Sequence, residues 1–595
     1  MSGTIPSAEL EARGPRGTAS AAGAEPDRTA RLAASGPLPA RVQRIGRRLA
    51  RTVSWPGLVL GTLFFAFSLT PSLLPRSALM QGFVSGFSLA AGYALGVLGR
   101  AVWRYLELPA LPRRVARPGR VVVGVACALT AAFFAWRASA WQDTIRALMG
   151  MEPSEGSRPF TIAALALVVF AVVLLIGRSF RLMAVAISRF LARYVPRRVS
   201  LLVGVLAAAA AFWSLIDGVL VRAVLGVVDG SFQRVDALIE PETEQPQDPL
   251  RSGSPASALA WEDLGRAGRE FIAGGPSRAD LRAFFGEDVD TPIRVYVGLN
   301  SAETVEERSR LALEELERTG AFERSVLVVI TPTGTGWVDP GAIDTVEYLH
   351  RGDIASVAVQ YSYLASAFAL LLEPEHGAET ARALFADVYD RWTRLPRDRR
   401  PALYLHGLSL GAFHSDASFS VYDVIGDPFQ GVLWSGPPFR TETWRRATER
   451  RVPGSPAWLP RFRDSTVIRF TDQHDRLYMP GVPWGPLRIA FLQYASDPIT
   501  FFEPSMAYRP PQWLSPPRGP DVSPELRWIP IVTMLQLGAD MRGGAITPEG
   551  HGHNFAPDDY IEAWLALTEP RGWSDDDTRR LKALFAARGP NEPPP

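Results

Sequence analysis

Cysteine and lysine are nearly missing from this chain of 595 residues, which holds one of each, Cys127 and Lys582. A single cysteine closes no intramolecular disulfide and builds no thiolate metal cluster, so the fold must stand on packing alone. Histidine is scarce too. The seven are His350, His376, His406, His414, His474, His551 and His553, so any imidazole chemistry belongs to the C-terminal half. The net charge of +2 conceals arginines crowded toward the N-terminus and carboxylates gathered after about residue 230. That split offers no single basic face, which argues against nucleic acid as a partner.

What the first half holds instead is apolar sequence. Runs at 57–75, 79–98, 120–137, 160–177 and 201–224 are each near the ~20 residues a helix needs to cross the hydrocarbon core. The fourth, FTIAALALVVFAVVLLIG, has neither a charged residue nor a polar face, unlike a helix on the surface of a soluble core. Five spans are therefore expected in an α-helical transmembrane bundle, with the lipid bilayer as its partner. Gly82 and Gly86, like Gly92 and Gly96, have the small-xxx-small spacing that lets helices approach closely in lipid.

Arginines near span ends stay on the cytoplasmic side. They cluster before the first span (Arg41, Arg44, Arg47, Arg48, Arg51), in the second loop (Arg100, Arg104, Arg113, Arg114, Arg117, Arg120) and in the fourth (Arg178, Arg181, Arg189, Arg193, Arg197, Arg198). An odd number of spans that starts inside leaves everything after about residue 228 outside the cytoplasm. The resulting division is a disordered basic tail (1–50), a transmembrane domain (51–228), a linker and connecting helix (229–290), a catalytic domain (291–587) and a short disordered tail (588–595).

Chain length alone calls for at least two units. In the second, apolar runs at 293–300, 326–332, 355–362, 402–407, 431–436, 467–471 and 489–496 alternate at first with helix-patterned stretches. That order predicts a doubly wound, mostly parallel sheet covered on both faces. Ligands of such sheets bind beyond the carboxyl ends of the strands.

One of those ends reads LYLHGLSLGAFHS, residues 403–415. Gly407-Leu408-Ser409-Leu410-Gly411 sits between a strand and a run of small residues, the setting in which two glycines permit a sharp turn that lifts a serine above a sheet. The pentapeptide by itself is a weak signal, and a serine filling a tight turn is the plain alternative. A serine hydroxyl needs a base to take its proton, and on this kind of sheet the base follows in the chain. PEGHGHNF, residues 548–555, supplies His553, with His551 as the alternative. An acid should fall between them and orient the imidazole. Asp497, just after the last strand, is the first choice and Asp475 the second. The amide of Leu410 and one from TPTGTGW (331–337), in the stretch Thr333, Gly334 and Thr335, are placed to hold an oxyanion. That loop lacks the Gly-Lys-Ser/Thr ending of a phosphate-binding loop, and the His551/His553 pair is a weak metal signal. Neither a metal nor a cofactor is expected.

The multi-span first half followed by GLSLG, YASDPITFF, RWIPIVTMLQLGADM and GHGHNF resembles a bacterial family of membrane-anchored α/β-hydrolases, from about residue 55 onward. The resemblance implies an α/β-hydrolase domain with Ser409 as nucleophile and favours Asp497 and His553 as its partners; it says almost nothing of substrate. The expected function is a multi-pass serine hydrolase of esterase or lipase type. It would cleave an ester or thioester, of a lipid or of the cell envelope, with its catalytic domain outside the cytoplasm. An acyltransferase sharing the same acyl-enzyme, and a non-catalytic membrane sensor, are the alternatives.

Overall fold

A computed structural model describes residues 54–109, 113–154, 158–215, 236, 243–364 and 375–589. The tails expected at 1–50 and 588–595, and the end of the fifth apolar run, lie wholly or mostly outside these residues. The first half forms helices α1 (Trp55–Ser68), α2 (Ala78–Tyr105), α3 (Arg113–Leu148), α4 (Pro159–Leu191) and α5 (Arg197–Leu215). Among the described residues, four helices are long and apolar enough to cross a membrane, and these are α2 to α5.

The first of the five expected spans, 57–75, is not among them. Helix α1 has 14 residues, about 21 Å at 1.5 Å per residue, short of the ~30 Å hydrocarbon core. The run 57–75 contains Pro71 and Pro75, which cannot continue a helix. Its remainder turns into protein: Leu73 and Leu74 are buried in the same core as the strands of the second half. Hydropathy registers burial in lipid and burial in protein alike.

Both glycine pairs of α2 mark helix crossings. A Cβ on Gly92 or Gly96 would come within 2.4 Å of Leu60 O or 2.3 Å of Pro56 O in α1, and one on Gly82 or Gly86 within 2.8 Å of Leu165 Cβ or 2.6 Å of Val169 Cβ in α4. Only a residue without a side chain lets these backbones meet. The outward faces of α3, α4 and α5 present Val122, Leu129, Leu175 and Leu202 unburied, as a lipid-facing surface does.

All seven expected strands form: β1 (Ile293–Val297), β2 (Val326–Thr331), β3 (Ile354–Val359), β4 (Ala402–Leu408), β5 (Gly431–Ser435), β6 (Ile468–Thr471) and β7 (Arg488–Leu492). They make one sheet in the order β1-β3-β2-β4-β5-β7-β6, every pair of neighbours parallel. Their near-continuous burial is what a sheet covered on both faces requires. Helices α6 (Val305–Arg318), α7 (Pro340–Leu349), α8 (His376–Thr393), α9 (Leu410–Asp416), α10 (Val532–Asp540) and α11 (Pro557–Thr568) follow in chain order. Helix α6 packs with α8, and α7 with α11.

After β2 the chain goes to β3 on one side, while β4 lies on the other. The loops that leave β2 and β4 therefore diverge and open a crevice at their carboxyl ends. Register pairs Thr331 with Gly407 there, so the loop expected to hold an oxyanion starts beside the turn that carries Ser409.

Residues 243–260, expected as linker, are seated on the second half: Ser252 N donates to Arg294 O at 3.2 Å, Ala258 N to Glu315 Oε1 at 2.9 Å, and Arg251 Nη1 to Gly274 O at 2.8 Å. The helices reach the same unit through polar contacts. Gln536 of α10 donates to Ser68 O and Thr70 O at 3.2 and 3.0 Å, Arg76 pairs with Asp540 at 2.6 Å, and Trp141 Nε1 donates to Glu525 at 2.6 Å.

Candidate active site

Strand β4 ends at Leu408 and α9 begins at Leu410, leaving Ser409 to make the whole turn. Its backbone sits at φ 56°, ψ −120°, a strained conformation for a residue with a side chain. The glycines on either side make the turn possible. A Cβ on Gly407 would lie 2.5 Å from Gly411 C, and one on Gly411 would lie 2.2 Å from Thr331 O. The second contact presses the start of α9 against the loop after β2. Ser409 is itself nearly buried, and its amide donates to Ser435 O at 2.9 Å.

The residue just after β5, Gly436, links this turn to His553. Gly436 has φ +51°, and a Cβ there would meet His553 Cε1 at 2.4 Å. The imidazole thus packs against the backbone that follows the hydrogen-bond partner of Ser409. His553 Nδ1 is 2.7 Å from Asp497 Oδ2, with the side chains 7% and 0% exposed. The other ring nitrogen, Nε2, is buried and has no hydrogen-bond partner. Asp497 is held from all sides: Oδ1 accepts from Ile499 N at 2.8 Å, and Oδ2 accepts from Thr500 Oγ1 at 3.0 Å.

The other candidates lie elsewhere. Asp475 is exposed and accepts from Leu477 N at 3.0 Å in its own turn. His551 points to Asp521, 3.9 Å away, and not to Asp497. His406 is buried in β4 with Nδ1 2.9 Å from Leu433 O, and His414 is buried in α9 against Tyr361; burial pushes both down to about 4, so both stay neutral.

At the position expected from sequence to hold an oxyanion, the amide of Leu410 is the first of α9, one of the donors a helix leaves without an internal partner. In the loop after β2 the amide of Thr333 is spent on Trp337 O at 3.0 Å, which removes it from the stretch proposed from sequence. Gly334 and Thr335 lie at the tip of this loop, and Tyr296 OH anchors it through Gly336 O at 2.8 Å. Asp339 closes it, capping α7 and accepting from Tyr560 OH at 2.9 Å. Burial pushes the Asp339 carboxyl up to about 7.

Sequence reasoning missed the support beneath His553. Asp521 Oδ2 accepts from Ser496 Oγ at 2.5 Å, and Ser496 Oγ accepts in turn from Gly552 N at 2.8 Å, next to His553. Gln473 joins the cluster, donating to Asp521 at 3.1 Å and to Gly550 O at 2.8 Å. Ser496 stands beside Asp497, the only sequence cue; nothing in RGPDVSP marks Asp521.

Comparison with known proteins agrees with this architecture. No curated protein and no solved structure matches the chain. A family model described as "Alpha/beta-hydrolase family" matches residues 293–581, and one described as "Alpha/beta-hydrolase family N-terminus" matches residues 69–276. The N-terminal model takes in α2 to α5 and the other the whole sheet, and the chain belongs to that α/β-hydrolase family.

Proposed function

We propose that the protein is a membrane-anchored serine hydrolase acting on an ester or thioester, with Ser409 as nucleophile, His553 as base and Asp497 as the group that orients it. The observation that carries this reading is the His553–Asp497 pair, whose hydrogen bond at Nδ1 leaves Nε2 buried and unpartnered, on a ring that packs at Gly436, one residue beyond the Ser435 carbonyl that holds the Ser409 amide. Ser409 Oγ attacks the acyl carbonyl as its proton passes to His553 Nε2, and the oxyanion is held by the Leu410 amide and one from the Gly334–Thr335 tip. Collapse breaks the bond to the alcohol or thiol, which leaves with the proton from His553. Water then attacks the acyl-enzyme, again through His553, and releases the carboxylic acid and free Ser409.

Placement of the catalytic domain outside the cytoplasm belongs to the same proposal. An odd count of spans no longer supports it. The support is that the catalytic half packs on residues 68–77 and 141–149, at the opposite ends of α2 and α3 from Arg100, Arg104 and Arg120, and arginines stay inside. Catalysis is tested with the full chain in lipid nanodiscs and a short p-nitrophenyl ester. Turnover lost in Ser409→Ala is the expected result; turnover unchanged in that variant contradicts it.

A further inference from the structure

One cavity does not belong to the sheet alone. About 880 Å³ in volume, it lies between the start of α2, the end of α3, the start of α4 and residues 539–547 of the catalytic half. It is amphipathic. Leu79, Ile162 and Ile546 contribute apolar surface to the lining, and Leu79 and Ile546 remain more than half exposed. Opposed to them are four arginines, Arg76, Arg146, Arg158 and Arg542, against one lining carboxylate, Asp540. Asp540 is spent on Arg76 at 2.6 Å, and nearby Asp143 on Ser154 N and Oγ at 2.8 and 2.7 Å. Arg158 and Arg542 form no ion pair among the described residues and are exposed. Arg76 is 2% exposed yet keeps Nη2 without a partner. A buried guanidinium with a spare donor is costly unless something accepts from it.

The wall between this cavity and His553 is one residue thick. Gly543 and Thr547 line the cavity, while Gly544 O accepts from His553 N at 2.9 Å and Thr547 Oγ1 donates to His551 O at 2.6 Å. A Cβ on Gly544 would stand 3.0 Å from His553 Cβ. We infer that this cavity seats the headgroup of an anionic, acyl-bearing membrane lipid, held by the arginines while its chains stay among the ends of the spanning helices. Position, size and charge agree: guanidinium groups bind phosphate and carboxylate oxygens in pairs, and the apolar wall continues the lipid-facing surface of α2 and α4. As the substrate of the catalytic site the lipid rests on the proposed hydrolase activity; as an occupant of this cavity it does not.

The test uses the full chain as Ser409→Ala in phosphatidylcholine nanodiscs that carry a trace of phosphatidylglycerol with a diazirine on its acyl chain. After irradiation, adducts are expected at residues 77–81, 158–162 and 539–547, displaced by unlabelled phosphatidylglycerol but not by phosphatidylcholine or inorganic phosphate. Each removed arginine should lower the yield about fivefold, as the loss of one cation beside an anionic lipid does; Arg158→Gln with Arg542→Gln gives the product of the two, and the paired Lys substitutions restore most of it. Equal yield from a phosphatidylcholine probe, displacement by inorganic phosphate alone, or no effect of the paired Gln substitutions overturns the inference. Should that variant lose its thermal transition, the headgroup comparison on the parent chain still decides. If the parent chain, with Ser409 in place, turns over no ester while these adducts still form, the hydrolase reading fails and this site stands.

Discussion

His553 and Asp497 lie 56 residues apart in the chain and 2.7 Å apart in space, joined through Nδ1 and Oδ2. The contact leaves the histidine one proton-accepting atom, Nε2, and determines where a nucleophile has to be. Asp497→Asn keeps the size and most of the hydrogen bonds around the side chain while removing its charge and inverting its preference at Nδ1. The expected result is a folded protein whose kcat falls on the order of 10⁴-fold with KM little changed. A fall below tenfold in steady-state assays would contradict the assignment of the acid.

Ser496 ties Asp521 to the backbone beside His553. Ser496→Ala leaves Asp521, 2% exposed in its side chain, and the Gly552 amide each short of a partner. The expected cost is about 1–3 kcal/mol, seen as a lower Tm, together with a kcat that falls while KM holds, because the histidine loses its position and not its substrate contacts. Unchanged Tm and kcat would show that the cluster is ornamental.

Burial raises the carboxyl of Asp339 to about 7 from an ordinary 3.8, and Asp559 likewise. A group whose folded value is raised contributes stability in full below its unfolded value and loses that contribution as pH rises through the folded one. From these two groups, stability should decline between about pH 4 and 7. Asp339→Asn, which still accepts from Tyr560, should lessen that decline in thermal melts across the range; a decline identical to that of the parent contradicts the cause.

Tyr508 is 78% exposed on the catalytic half. In a Cys127→Ser background, Tyr508→Cys should react with a membrane-impermeant maleimide on intact cells. Labelling only after the membrane is opened would place the catalytic half inside.

The geometry of the candidate site was legible where its parts are local. Ser409 is marked by two glycines, each required by a backbone contact within 2.5 Å, and Asp497 by its place just beyond β7. Strands were legible because a parallel sheet buried on both faces writes continuous apolar runs. The features that were not legible depend on contacts far apart in the chain. Arg294, buried against Asp344 and Glu347 at 2.6 and 2.8 Å, looks like any charged residue in sequence. Asp521 meets Ser496 only through the fold. Residues 69–75 read as membrane because their apolar character is real, but Leu73 and Leu74 spend it inside the protein.

The most direct measurement is labelling of the full chain in native membranes with a fluorophosphonate, which reacts with a serine only where a base has activated it. The account predicts a stoichiometric adduct on Ser409, lost in Ser409→Ala and His553→Ala, strongly slowed in Asp497→Asn and retained in His551→Ala and Asp475→Asn. A folded parent protein that takes no label, or a label that survives His553→Ala and disappears in His551→Ala, contradicts it.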